Sequence, residues 1–243
     1  MHQTIDKMKQ LRLHQMANIH HQRITGDLHQ DYSVDEYTNL LIDQEWEDRQ
    51  NRKMERLIQS AKFKVSASIS QIDYKANRGL DRDVVNKLAL LGFIKHKQNV
   101  ILTGPAGVGK SFIAQALGYQ ACIQGLKTRY QNTARFLAIL KFAKIDGTYL
   151  KHLARLNKIN LLILDDFGLQ QLDNVEREVL MDLIEDRHDR SSTMIASQIP
   201  ISKWYDVIGE GTIADAILDR IVHSAHRICL KGESLRKKNK PKL

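Results

Sequence analysis

The sequence predicts an α/β fold: a mostly parallel sheet covered by helices on both faces, preceded by a small all-helical region. Three observations carry this. Residues 1 to about 62 show helical character and no strand signal. Beyond residue 80, short apolar runs of strand length alternate with amphipathic helical stretches, the pattern of successive βα units. Between one such run and the next helix lies LTGPAGVGKSF, residues 102–112, a glycine-rich turn with a lysine at its end.

In the helical region, Leu40 to Ala61 runs without Gly or Pro. Met54, Leu57, Ile58 and Ala61 fall at i, i+3, i+4, i+7 and form one apolar stripe. Arg49, Arg52, Lys53 and Arg56 repeat that spacing, and the two stripes are centred roughly 140° apart at 100° per residue. One side can pack while the other presents cations; a solvated helix face is the competing reading. Residues 64–80 lack helical periodicity and look like a connector, which sets a domain boundary near 75: 1–75 helical with the connector, 76–243 α/β.

The strand candidates are Asn99 to Thr103, Thr128 to Gln131, Asn160 to Asp165, Thr193 to Ser197 and Arg227 to Leu230. Three amphipathic helices lie between them. The first follows the glycine turn and stops near Gly125. The second begins after Thr133 and ends before Gly147. The third opens with the capping pair Asp173 and Glu176, then sets Val175, Val179, Leu180, Leu183 and Ile184 on one side.

GPAGVGKS (Gly104, Pro105, Ala106, Gly107, Val108, Gly109, Lys110, Ser111) matches G-x-x-x-x-G-K-[ST]. The glycines let the backbone curl so that successive N–H groups face an anion. Lys110 sets a cation against β- and γ-phosphates, the Ser111 hydroxyl can bind Mg²⁺, and the next helix aims its N-terminus at the same phosphates. Average residue frequencies put a chance match in such a chain at about 1%, so the motif predicts a nucleotide site. LLILDDFG, 161–168, is the expected second half: a buried parallel strand with two carboxylates at its C-terminal end. Asp165 is expected to hold Mg²⁺, directly or through water, and Asp166 to polarise the attacking water.

Composition bounds the rest. With 42% hydrophobic and 27% charged residues the chain is an ordinary globular protein, and no apolar run approaches the ~20 residues of a membrane span. The N-terminus MHQTIDKMKQLRLHQ predicts no signal peptide, and a cytoplasmic location is expected. The cysteines Cys122 and Cys229 are expected to be reduced core thiols. Neither His20–His21 nor His223 and His226 comes with zinc-site spacing, so no metal beyond Mg²⁺ is expected. Thirty-seven Lys and Arg against 28 Asp and Glu, net +9, favour a polyanionic partner, nucleic acid or membrane surface.

Taken in order, these motifs resemble an AAA+ ATPase, and more narrowly the IstB-type transposition helpers of insertion sequences, relatives of DnaC-type helicase loaders and DnaA-type initiators. The resemblance covers nearly the whole chain: EYTNLLIDQEWEDRQNRKMERLIQSAKF, GLDRDVVNKLALLGFI, the phosphate loop (GPAG here for the commoner GPPG), LLILDDFG, ASQIP and ADAILDRIVHSAHRICLKGESLRKK. It implies a P-loop AAA+ core with ATP and Mg²⁺ as cofactors. Ser197 and Gln198 would be sensor I, contacting the γ-phosphate or the attacking water. Arg220 would be an arginine finger completing a neighbouring subunit's site, and Arg236 the sensor II arginine. Only seven residues follow Arg236, so no full C-terminal lid is expected. The implied activity is ATP hydrolysis by homo-oligomers with ATP at their interfaces. The implied partners are duplex DNA and a cognate transposase, with no membrane; since no array of base-reading side chains stands out, the DNA binding is expected to be largely sequence-independent. Arg49, Arg52, Lys53, Arg56 and the tail SLRKKNKPKL would meet DNA phosphates. A helicase loader is the alternative; a small-molecule kinase fits least, because it leaves the basic helices and Arg220 unused.

Overall fold

A computed structural model describes residues 2–28, 31–76, 78–209 and 211–235. The chain divides into two compact units, Met1–Arg56 and Leu57–Leu243.

The first unit contains α1 (His2–Gln10), α2 (His14–Thr25) and most of α3 (Val34–Ala61). Ser33 and Glu36 start α3 with a reciprocal cap: the Ser33 N–H donates to Glu36 Oε2 at 2.8 Å, and the Glu36 N–H to Ser33 Oγ at 3.3 Å. Leu13, ahead of α2, gives no side-chain cap. Glu45 of α3 supplies one from outside, accepting the backbone N–H groups of Gln15, at 2.8 Å, and of Met16.

In the second unit, β1 (Asn99–Thr103), β2 (Thr128–Asn132), β3 (Leu161–Phe167), β4 (Ser192–Ser197) and β5 (Ala225–Cys229) form one sheet in the order β2-β3-β4-β1-β5. Every neighbouring pair is parallel. Alternation along the strands feeds two cores. Val100, Leu102 and Ile163 face α4 (Arg82–Ala89), α5 (Gly92–Lys95) and α6 (Lys110–Ile123). Ile101, Leu162, Leu164 and Ile195 face α7 (Thr133–Ile145), α8 (Tyr149–Leu156), α9 (Asn174–Arg187), α10 (Trp204–Ile208) and α11 (Gly211–Val222). Burial on both faces is why the strands read as continuous apolar runs.

The five strands and α6, α7 and α9 lie where the sequence places them, to within three residues at any end. The Asp173–Glu176 capping box of α9 is present in both directions. The other helices of this unit fall outside the three that periodicity predicts. The boundary also differs from residue 75, because the connector packs with the sheet. Ala67 and Ile72 are buried in the first core, and Phe63 and Ile69 lie against it. Gly118 of α6 makes room: a Cβ there would stand 2.9 Å from Phe63 Cε1 and 2.7 Å from Ile163 Cδ1. Of the two cysteines only Cys122 is a core thiol. Cys229 is exposed, since β5 is an edge strand whose outer positions stay open. Among the described residues no helix is long and apolar enough to cross a membrane.

Candidate functional site

The carboxyl ends of β1, β4 and β3 lie side by side, with β4 between the other two. Leaving β1, the chain turns through Gly104, Gly107 and Gly109, at φ 143°, 80° and 97°. These values exclude side chains on conformation, and space excludes them too: a Cβ on Gly104 would lie 2.2 Å from the Leu230 carbonyl oxygen, and one on Gly107 2.0 Å from Ser234 Oγ. Pro105 and Ala106 are exposed, while Val108 anchors the turn in the core. The segment after β5 is stitched to this turn. The Leu230 N–H donates to the Thr103 carbonyl at 2.8 Å and the Leu235 N–H to that of Gly107 at 2.9 Å. The described residues of this segment, 230–235, form no α-helix. Arg236 lies outside the described residues, as does the rest of the basic tail.

Gly109 occupies the N-cap of α6 and gives no side-chain cap, so the first-turn N–H groups and the helix dipole are left for an anion. Lys110 Nζ, nearly buried, donates to the Gly104 and Pro105 carbonyls, each at 2.7 Å. Its ammonium is thereby held inside the turn. Ser111 Oγ donates to Asp165 Oδ1 at 2.9 Å. Two hard oxygen ligands meet at the end of the phosphate cradle, the donor set Mg²⁺ selects.

Asp165 and Asp166 emerge at a β-bulge. Leu164 pairs with Ile195 and Phe167 with Ser197, so β3 uses one residue more than β4 across the same span. Asp166 absorbs it at φ 57°. The bulge turns the two carboxylates different ways. Asp165 is 2% exposed and points at Ser111. Asp166 is held from both neighbouring strands, its Oδ2 accepting from Asn132 Nδ2 at the end of β2 at 3.1 Å and its Oδ1 from Gln198 Nε2 just past β4 at 3.5 Å.

The two sensor I candidates separate. Gln198 reaches Asp166. Ser197 is fully buried, donates its hydroxyl to the Phe167 carbonyl at 2.8 Å and accepts the Ile199 N–H at 3.2 Å. Its Oγ is engaged with backbone on both sides of the bulge, and the Gln198 side chain is the one of the two that meets Asp166.

Arg220 lies far from its own phosphate loop. It sits on α11, with its carbonyl accepting Asn99 Nδ2 at 3.1 Å, at the start of β1. Its guanidinium pairs with Glu185 Oε2 at 2.6 Å and donates to the Ala216 carbonyl at 3.0 Å.

The cationic stripe of α3 divides as well. Buried Glu45 pairs with Arg49 at 2.9 Å and with Arg52 at 3.6 Å, and Asp48 also pairs with Arg52. Arg49 and Arg52 therefore balance acids of their own helix, while Lys53 and Arg56 stand exposed. The sequence holds the signal for this division: acids four residues before Arg49 and Arg52.

Two site residues gave no such signal. Arg78, nearly buried in the connector, donates to the Val108 carbonyl at 2.8 Å and the Asp73 carbonyl at 2.7 Å, bracing the phosphate loop. Burial pushes its pKa down. Tyr130 of β2 donates its hydroxyl to Asp165 Oδ2.

A phosphate turn between a central strand and α6, paired acids on the strand two places away and a polar side chain at the end of the strand between them define a P-loop nucleotide-binding core of the AAA+ class. Within that class the chain belongs to the family of IstB-like ATP-binding proteins, whose model matches residues 6–243. It is 42% identical over 241 residues to y4pL of Sinorhizobium fredii, named as an insertion-sequence ATP-binding protein, covering 99% of this chain and 98% of that one. With the protein named for ATP binding in insertion sequence IS21 of Pseudomonas aeruginosa it shares 34% identity over 207 residues, 85% of this chain and 78% of the other. Among solved structures, DnaI superposes with a TM-score of 0.59 over 72% of this chain and 93% of its own, at 21% identity, a likeness of fold.

Proposed function

We propose that this protein is an ATP-hydrolysing transposition helper that assembles on duplex DNA and presents it to a transposase. The observation that carries the reading is the separation of Arg220 from a phosphate site otherwise furnished with Lys110, Ser111, Asp165 and Asp166. A site whose stabilising guanidinium must come from a second copy links hydrolysis to assembly. The names of the insertion-sequence relatives support the transposition context.

In this mechanism the phosphate loop and the α6 N-terminus hold the triphosphate, with Lys110 against its β- and γ-oxygens. Ser111 and Asp165 would hold Mg²⁺, which neutralises charge on the phosphate oxygens when bound. Asp166, fixed by Asn132 and Gln198, orients a water in line with the γ-phosphorus. The water oxygen bonds to that phosphorus as its bond to the oxygen bridging to the β-phosphate breaks, and the water's protons leave with the products, ADP and inorganic phosphate. Arg220 of the next subunit stabilises the charge that develops. Once the γ-phosphate leaves, that guanidinium has no anion to hold, the interface loosens and the DNA is released. Lys53 and Arg56, helped by the basic tail, supply sequence-independent phosphate contacts.

Electron microscopy and sedimentation with duplex DNA provide the test. Ordered assemblies are expected with a non-hydrolysable ATP analogue, and neither without nucleotide nor with Lys110→Ala. Assemblies that form regardless of nucleotide would end the reading.

A further inference from the structure

Asp165 has more partners than a metal-facing carboxylate needs. Its Oδ1 accepts the Ser111 hydroxyl at 2.9 Å and the Asp166 N–H at 3.0 Å. Its Oδ2 faces away from that pair and accepts the Tyr130 hydroxyl. Tyr130 lies on β2, in register with Ile163 two residues before Asp165, and is 3% exposed. The Lys64 ammonium covers its ring, 5.6 Å from the centroid. Lys64 is fixed in turn: the Lys64 and Val65 N–H groups donate to Gln115 Oε1 at 2.6 and 3.1 Å, while Gln115 Nε2 donates to the Ser111 carbonyl at 3.1 Å. The phenol is thus locked between the connector and the carboxylate. A phenol hydroxyl facing a carboxylate oxygen can act there only as the donor. Without that donor, Oδ2 would be a buried acceptor with no partner, and the carboxylate would gain by rotating to share Oδ1.

We propose that Tyr130 is a positioning residue for the divalent cation: its hydroxyl pins Oδ2, keeps Oδ1 turned to Ser111, and so sets how tightly Mg²⁺ is held with the nucleotide. The inference rests on the reading of Ser111 and Asp165 as the Mg²⁺ site. Partners behind metal ligands are commonly worth 10–100-fold in metal affinity, so removing one oxygen in Tyr130→Phe should raise the Mg²⁺ concentration for half-maximal tight binding of a fluorescent ATP analogue about tenfold. Binding of the same analogue in EDTA should stay within about twofold, because the phosphate loop is untouched. An unchanged Mg²⁺ midpoint overturns the proposal. Wild-type binding indifferent to Mg²⁺ overturns the metal site itself, and Tyr130's role with it.

If Tyr130→Phe does not fold, the wild-type chain carries the test, with a ¹³Cζ-labelled tyrosine at position 130 alone. Its resonance should move when Mg²⁺ is added to the nucleotide-bound protein and hold still when nucleotide is added in EDTA. A resonance indifferent to Mg²⁺ refutes the role.

Discussion

Asp166 is the one residue of the paired acids that has left ordinary strand geometry. At φ 57° it occupies a region that costs a non-glycine residue of order 1 kcal/mol, less for aspartate than for most. In exchange its carboxylate is detached from the Ser111 side and held by two amides. Asp166→Asn keeps the shape but replaces one acceptor oxygen with an N–H donor, so it retains one of the two amide contacts and loses the basic oxygen. ATP should still bind with near wild-type affinity, while single-turnover hydrolysis falls ~10²–10⁴-fold and DNA complexes persist. Rapid turnover in that variant would remove Asp166 from the chemistry. The neighbouring pair makes a second prediction. Gln198→Ala should lower kcat by an order of magnitude or more, because Asp166 loses one of its two supports. Ser197→Ala should leave kcat within a few-fold and instead lower the melting temperature, since the Phe167 carbonyl and Ile199 N–H lose a buried hydroxyl partner, worth about 1–3 kcal/mol.

At the scale of elements, α3 illustrates how half of a cationic stripe can be occupied with the acids of its own helix. Glu45 is driven up in pKa by burial, but Arg49 and the Gln15 and Met16 N–H groups outweigh that, and the net shift is downward. A carboxyl whose folded pKa lies below its ordinary 4.5 stabilises fully above that value, and the contribution disappears as pH falls through the folded pKa. Acidification below about pH 4.5 should therefore fray the first turn of α2, seen as faster hydrogen exchange at Gln15 and Met16. Glu45→Gln should show that fraying already at neutral pH, with its pH dependence abolished. The same pairing divides the DNA prediction: Lys53→Ala with Arg56→Ala should flatten the slope of log affinity against log salt by about 2, near 0.9 for each phosphate no longer neutralised. Arg49→Ala with Arg52→Ala should chiefly destabilise the helices. An equal effect of both pairs on the slope would return all four cations to the DNA surface. What is legible in the sequence follows the same logic. Strands buried on both faces announce themselves as apolar runs, and the α9 capping box is readable because its two partners lie three residues apart. The phosphate cradle is likewise local. Tyr130 is not readable, because an aromatic in a strand looks like core until β2 is set beside β3 and its hydroxyl meets Asp165. Arg78 is hidden for the same reason: its partner carbonyl is thirty residues away in sequence. The bulge at Asp166 leaves no mark in LLILDDFG, since an extra residue exists only relative to the partner strand.

At the scale of the whole molecule, the decisive distance is the length of β1. Asn99, whose side chain holds the Arg220 carbonyl, begins the strand, and Gly104 follows its end. At about 3.3 Å per residue these points are roughly 17 Å apart, too far for an arginine to serve the phosphates of its own chain. Pairing with Glu185 holds the guanidinium near the amino-terminal end of β1, and on the proposed reading it would exchange that acid for a partner's phosphates. Two inactive variants should then repair one another. Arg220→Ala keeps a whole phosphate site and lacks the guanidinium, with hydrolysis expected to fall ~10³-fold in its own assemblies. Asp166→Asn keeps the guanidinium and lacks the water-orienting acid. Mixed in equal amounts with DNA and ATP, they should place a complete site at about a quarter of head-to-tail interfaces and recover a comparable share of wild-type turnover. The recovered rate should rise with total concentration and collapse on dilution, because it belongs to the interface. If the mixture is no more active than either variant alone while both still assemble, Arg220 does not act between subunits, and the link between hydrolysis and assembly must lie in another residue.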